Sequence, residues 1–171
     1  NLAALITLGR RRAGKGEYHL TRNDLASGVP DCLVLWFATQ ESSDDEARSL
    51  AATFPGRLWI AHERLLHPDD DERFAVLRRL AATHHLPLVA AGDVHMHVRS
   101  RRPLQDLLTA LRLKPSVDRA GDALFPNGER HLRPRLRLLQ RGDARLVVGL
   151  VRLVDLEARP IDLVRTLLDE G

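Results

Sequence analysis

Apolar residues recur along this chain in two alternating textures. Residues 2–12 place Leu2, Ile6 and Leu8 among polar neighbours, as a short amphipathic helix does, and Arg10, Arg11 and Arg12 close it. Residues 13–16, Ala-Gly-Lys-Gly, break that helix, and Thr21 is placed to cap a short helical turn running to Leu25. A continuous apolar run then fills residues 32–38 and reads as a strand. Ser43 followed by Glu46 is a capping box that opens a helix to about Thr53. Residues 57–61 form a second apolar run. Pro68 and the acids Asp69, Asp70, Asp71 and Glu72 begin a second helix, with acids where the helix dipole favours them, and Phe74, Leu77 and Leu80 make its apolar stripe to about His84. Residues 87–91 are a third strand. A helix over 101–111 carries Leu104, Leu107, Leu108 and Leu111 at helical spacing.

Strand and helix alternate three times, and the strands are apolar throughout rather than on every second residue. That pattern predicts a parallel sheet covered on both faces, in a barrel segment or a doubly wound sheet. Beyond Leu113 the texture changes. Residues 114–130 read as loop, residues 132–139 as arginine-rich and helical, 145–154 as a strand and 161–168 as a short helix. There is no internal repeat.

Composition narrows the class. With 44% hydrophobic and 29% charged residues in 171, the chain can bury a core and keep a solvated surface. No run of eighteen apolar residues suggests a membrane span. The basic cluster follows the first apolar stretch instead of preceding it, unlike a secretory leader. The single cysteine, Cys32, cannot form an internal disulfide, so a cytoplasmic location is expected. The first residue is not Met, and the chain opens inside a helix, which suggests a piece of something longer. Net charge is only +3, yet Lys15 and Lys114 are the sole lysines, so nearly all positive charge is arginine. Arginine forks suit phosphate, although a GC-rich genome gives the same bias. Clusters at Arg10, Arg11 and Arg12, at Arg99, Arg101 and Arg102, and over residues 130–137 are candidate DNA-backbone contacts; solvated helix faces are the alternative.

In parallel α/β folds functional groups gather at the carboxyl ends of strands. After the third strand comes Gly92-Asp93-Val94-His95-Met96-His97. In an extended segment Asp93 and His95 point to one side, so a carboxylate and an imidazole converge as they would on Zn²⁺ or Mn²⁺. His97 continues that face, and Gly92 permits a sharp turn. After the second strand, His62 and His67 flank Glu63 and offer further ligands. Surface loops with incidental histidines are the competing reading for both. Asp69, Asp70 and Asp71 are explained by a helix first turn, His84 and His85 by a helix C-terminus, and Cys32 by packing. No phosphate loop, paired CxxC or nucleophile elbow is present.

Residues 88–97, LVAAGDVHMH, then Arg101-Arg102-Pro103-Leu104-Gln105-Asp106, then residues 124–133, LFPNGERHLR, resemble the PHP domain of error-prone, DnaE-type C-family DNA polymerases. Residues 1–18 and 54–61 are similar to the same family. The resemblance is collinear and covers residues 1–139 as a partial PHP domain, leaving 140–171 as an unrecognised segment. It implies a distorted β/α, TIM-like barrel with metal ligands at strand ends, Asp93 and His95 falling on the last ligand motif. It also implies DNA as partner, other replication and repair proteins nearby, a role in translesion synthesis, and Mg²⁺ for the full-length polymerase. The family's early His-x-His motif would precede Asn1, Leu65 stands where a ligand His is usual, and the polymerase carboxylates have no counterpart here. An incomplete metal site is therefore expected, as is an isolated chain weakened by unpaired sheet edges. Two alternatives stay open: a stand-alone metal-dependent phosphoesterase, and a non-catalytic module that scaffolds or contacts DNA.

Overall fold

A computed structural model describes residues 1–134 and the backbone of 146–147. Among these, helices α1 (Leu2–Arg12), α2 (Asp44–Thr53), α3 (Asp70–His84) and α4 (Arg102–Leu113) alternate with strands β1 (Val34–Trp36), β2 (Leu58–Glu63), β3 (Leu88–Ala91) and the two-residue β4 (Leu146–Val147). The strand order is β1-β2-β3-β4, and β1 to β3 form the expected parallel sheet. The helices expected over 132–139 and 161–168 and the strand over 145–154 lie outside the described residues, apart from 132–134, which is not helical, and β4.

The chain divides into two compact units. Among the described residues, one comprises Asn1–His62 and Glu72–Val89, the other Glu63–Asp71 and those from Ala90 to Pro134. In the first, β1 and β2 run parallel with Val34 opposite Leu58 and Trp36 opposite Ile60, and the Ile60 amide donates to Pro87 O at 3.0 Å. Leu58, Ile60, Ala61 and His62 are buried and Trp59 is half-buried, so both faces of this strand are covered. Trp36, Phe54, Ile60, Leu77 and Leu80 form the heart of this unit's core. Local chemistry sets the helix starts. Ser43 Oγ accepts from the Glu46 amide at 3.1 Å, and Thr21 with Asp24 forms a reciprocal cap on the turn Arg22–Leu25. Gly9 lets α1 approach the following segment: a Cβ there would stand 3.0 Å from Leu20 Cγ.

β1 is shorter than the apolar run that encodes it. Arg57, at the head of β2, donates from Nη2 to Gly28 O at 2.7 Å, and from Nη1 to Val29 O at 3.0 Å and Cys32 O at 2.9 Å. The backbone of residues 28–32 is thus bound by a guanidinium and not by a neighbouring strand, and Leu33 is 71% exposed. Ladder pairing starts only at Val34.

In the second unit, Pro103 sits in the first turn of α4, and Lys114 ends the helix at φ 69°. Thr109 and Ala110 are its buried residues, whereas Leu104, Leu107, Leu108 and Leu111 are 46–66% exposed. The leucine spacing correctly marks a helix, but its apolar stripe is not part of a core among the described residues.

Candidate functional site

β3 ends at Ala91, and the chain turns within the second unit. The turn is made by Asp93, at φ 40°, and not by Gly92. The extended geometry expected for residues 93–95 is therefore wrong in its backbone, since Asp is one of the few side chains that tolerate the left-handed region. The expected convergence nevertheless occurs: His95 Nε2 lies 3.2 Å from Asp93 Oδ1, and both side chains are at least nine-tenths buried. After the kink, the amides of His95 and Met96 donate to Arg130 O at 2.9 and 3.1 Å, the Leu132 amide donates to Met96 O at 3.0 Å, and Met96 pairs in parallel with His131. His97, expected on the same face, is exposed.

Arg130 completes the centre. Its Nε donates to Asp93 Oδ2 at 2.7 Å, and its side chain is 14% exposed. The Phe125 ring lies 4.7 Å from the His95 ring and 4.3 Å from Arg130 Cζ, giving both groups an aromatic wall. A buried carboxylate needs a compensating charge and hydrogen bonds. Here a guanidinium supplies the charge and His95 supplies a bond. Arg130 belongs to the arginine cluster over residues 130–137, and its guanidinium is turned to Asp93. It sits 37 positions from Asp93, a separation at which spacing carries no signal.

A second ion-pair layer holds the same segment. Glu129, 3% exposed, accepts from Arg133 Nη2 at 2.8 Å and from Arg99 Nη2, and Arg133 Nη2 also reaches Glu129 O at 2.6 Å. Asn127 Oδ1 accepts from the Glu129 amide at 2.9 Å, while its Nδ2 donates to Leu65 O at 2.6 Å. Gly128 is required where it stands, since a Cβ would fall 2.7 Å from Arg99 Cγ.

The loop after β2 is ordered by Asp70, whose Oδ2 accepts from the amides of Leu65 at 3.0 Å and His67 at 3.3 Å. The acidic triplet is a helix-start device, as expected. Leu65 is buried at 3%. His62 belongs to the first unit, where its ring stacks on Phe74 at 4.1 Å and 21°. His67 is half-buried.

Of the six arginines expected to meet nucleic acid, four have internal work. Arg10 lies over Tyr18 at 4.1 Å. Arg12 binds both oxygens of Asp24 at 2.7–2.8 Å; the Thr21 backbone amide first, and the Arg12 guanidinium with it, hold that carboxyl below its ordinary range. Arg99 pairs with Glu129, and Arg102 donates to Phe125 O at 2.8 Å. Arg11 and Arg101 are exposed and carry no ion pair among the described residues.

A divalent ion at Asp93 and His95 would need at least one further protein donor. Among the described residues no group of three or more His, Cys, Asp or Glu side chains converges. Asp93 Oδ2 is already bonded to a guanidinium, and His95 Nε2 is aimed at the same carboxylate.

Fold and site together define a parallel-sheet α/β chain whose strand-end polar centre is closed by arginine. No protein-family profile matches the chain. Curated relatives do. It is 59% identical over 143 residues, 81% of its length, to the error-prone DNA polymerase of Dechloromonas aromatica, of which this covers 14%. To the error-prone DNA polymerases of an Azoarcus species and Methylococcus capsulatus it is 50% identical over 158 residues and 52% over 134, or 90% and 78% of this chain and 15% and 13% of those proteins. The chain is homologous to one segment of the error-prone DNA polymerases and spans about one-seventh of the length of these relatives. No helix among the described residues is long and apolar enough to cross a membrane.

Proposed function

We propose that this chain is a partial PHP-type barrel unit of a cytoplasmic error-prone DNA polymerase, and that it supports translesion synthesis without performing the chemistry of strand extension. The observation that carries the reading is the 59% identity over 143 residues to an error-prone DNA polymerase. The parallel sheet β1-β2-β3 suits a barrel segment, with Asp93 and His95 at a strand end as that architecture requires. Nucleotidyl transfer would use two Mg²⁺ ions held by carboxylates outside this segment. The role left to the segment is support of the polymerase, with DNA and other replication or repair proteins as partners of the whole enzyme. Arg11 and Arg101 are the side chains best placed to add phosphate contacts.

The test is primer extension by the full-length protein on a template carrying an abasic site. Mg²⁺-dependent extension past the lesion is expected, and its absence on damaged and undamaged templates alike would overturn the reading. The 171-residue chain alone should not hydrolyse a phosphodiester to monoester and alcohol in Zn²⁺ or Mn²⁺; turnover lost in Asp93→Asn would replace this proposal with a phosphoesterase.

A further inference from the structure

The strand-end centre raises a question that its likeness to a metal site does not answer: which cation neutralises Asp93. We infer that the Arg130 guanidinium is the resident cation of this centre, and that Asp93, His95 and Arg130 form a metal-free ion-pair lock joining residues 93–96 to 129–132. The comparison with a metal rests on the PHP-type reading above, but the lock itself rests only on contacts within one unit.

Three observations carry it. First, Arg130 Nε is 2.7 Å from Asp93 Oδ2, so an ion on that oxygen would lie against a fixed positive charge. Second, Arg130 is held from both ends. Its carbonyl accepts the His95 and Met96 amides, and its guanidinium lies 4.3 Å from the Phe125 centroid. Swinging it aside would therefore give up aromatic contact as well as the ion pair. Third, His95 turns Nε2 toward the carboxylate at 3.2 Å, while its Nδ1 and Arg130 Nη1 are buried without a hydrogen-bond partner among the described residues. His95 Nε2 is thus taken up by Asp93, and the nitrogens that remain, His95 Nδ1 and Arg130 Nη1, are enclosed. The kink at Asp93, φ 40°, is what brings the carboxylate to both partners.

The test uses the purified 171-residue chain. After chelator treatment, Zn²⁺ and Mn²⁺ are titrated calorimetrically, and Tm is read with each metal and with EDTA. Neither metal nor EDTA should move the wild-type Tm. Arg130→Ala, which strands a buried carboxylate, should lower Tm by roughly 10 °C. Asp93→Asn combined with Arg130→Gln should regain at least half of that loss. If Arg130→Ala does not fold, Arg130→Gln is compared with and without Asp93→Asn, and rescue by the second substitution decides. Zn²⁺ binding that survives Asp93→Asn is assigned to other histidines, and the Tm of the double variant against Arg130→Ala then decides. Stoichiometric binding by the wild type that Asp93→Asn abolishes, or an additive double variant, overturns it.

Discussion

Arg57 joins the turn before β1 to the start of β2, and its removal is expected to be among the costliest single changes in the first unit. Its guanidinium donates to three carbonyls, Gly28 O at 2.7 Å, Cys32 O at 2.9 Å and Val29 O at 3.0 Å. A hydrogen bond from a charged donor contributes about 1.5–3 kcal/mol, but bonds sharing one side chain are not additive. Gly28 and Val29 are buried, so their carbonyls find water poorly once the guanidinium is gone. We expect Arg57→Met to cost about 3 kcal/mol. Methionine keeps an apolar stem near Phe54, whose ring lies 5.9 Å from Arg57 Cζ, so the loss reports the donors and not the packing. Arg57→Lys should recover about a third of it, because one ammonium cannot span three carbonyls as the planar fork does. The assay is urea unfolding followed by tryptophan fluorescence. Both tryptophans, Trp36 and Trp59, lie in this unit, on the paired strands β1 and β2. With a urea slope of about 2 kcal/mol/M, the midpoint should fall by about 1.5 M at unchanged slope. An Arg57→Met midpoint within 0.3 M of wild type would refute the claim that the guanidinium organises this turn.

Gly28→Ala should cost at least about 2 kcal/mol in the same assay, since residue 28 has φ +71° and a Cβ would stand 2.7 Å from Thr53 O; wild-type stability would remove the steric argument. Asp44 has its pKa lowered from 3.8, first by the hydrogen bond with His84 and then by that with Arg79. A folded pKa below the unfolded one gives stability that is present above the unfolded value and lost as pH falls through the folded value. Wild type and Asp44→Asn should therefore differ at neutral pH and converge as pH falls below 3.8 and through the folded value; a gap that persists in acid would assign the effect to something other than the charge. Leu111→Gln, at 66% exposure on α4, should shift stability by less than about 0.5 kcal/mol in this chain, and a loss above 2 kcal/mol by calorimetry would show that the leucine face is covered.

What the sequence made legible is what short-range chemistry decides. Thr21 and Ser43 are caps whose partners lie three residues away, and both form, although at Ser43 only the hydroxyl half of the expected box is made. Leu77 and Leu80 fall on one face of α3 through the helical repeat, and both are buried. Three apolar runs with helices between them lead to the parallel order β1-β2-β3. Where a distant side chain intervenes, the local reading falls short. The run over 32–38 yields only Val34–Trp36 because Arg57 takes the backbone of residues 28–32. The leucines of α4 specify a helix by their spacing, but periodicity cannot say what an apolar face will meet.

The strand-end centre divides along the same line. Asp93 and His95 are two residues apart at the end of an apolar strand, so their approach could be read from the sequence even though the backbone reaches it through a left-handed residue. Arg130 could not be found that way, because its position follows from the pairing of residues 129–132 with residues 95–96. An Asp-x-His motif presents the same side chains whether a divalent ion or a guanidinium supplies the opposing charge. Deciding between them requires the third partner, and in this chain it comes from the segment Asn127-Gly128-Glu129-Arg130, whose acid and base are both spent inside the unit. An arginine-rich composition is thus a weak guide to a nucleic-acid surface here, because Arg99, Arg102, Arg130 and Arg133 bind carboxylates and carbonyls of their own unit.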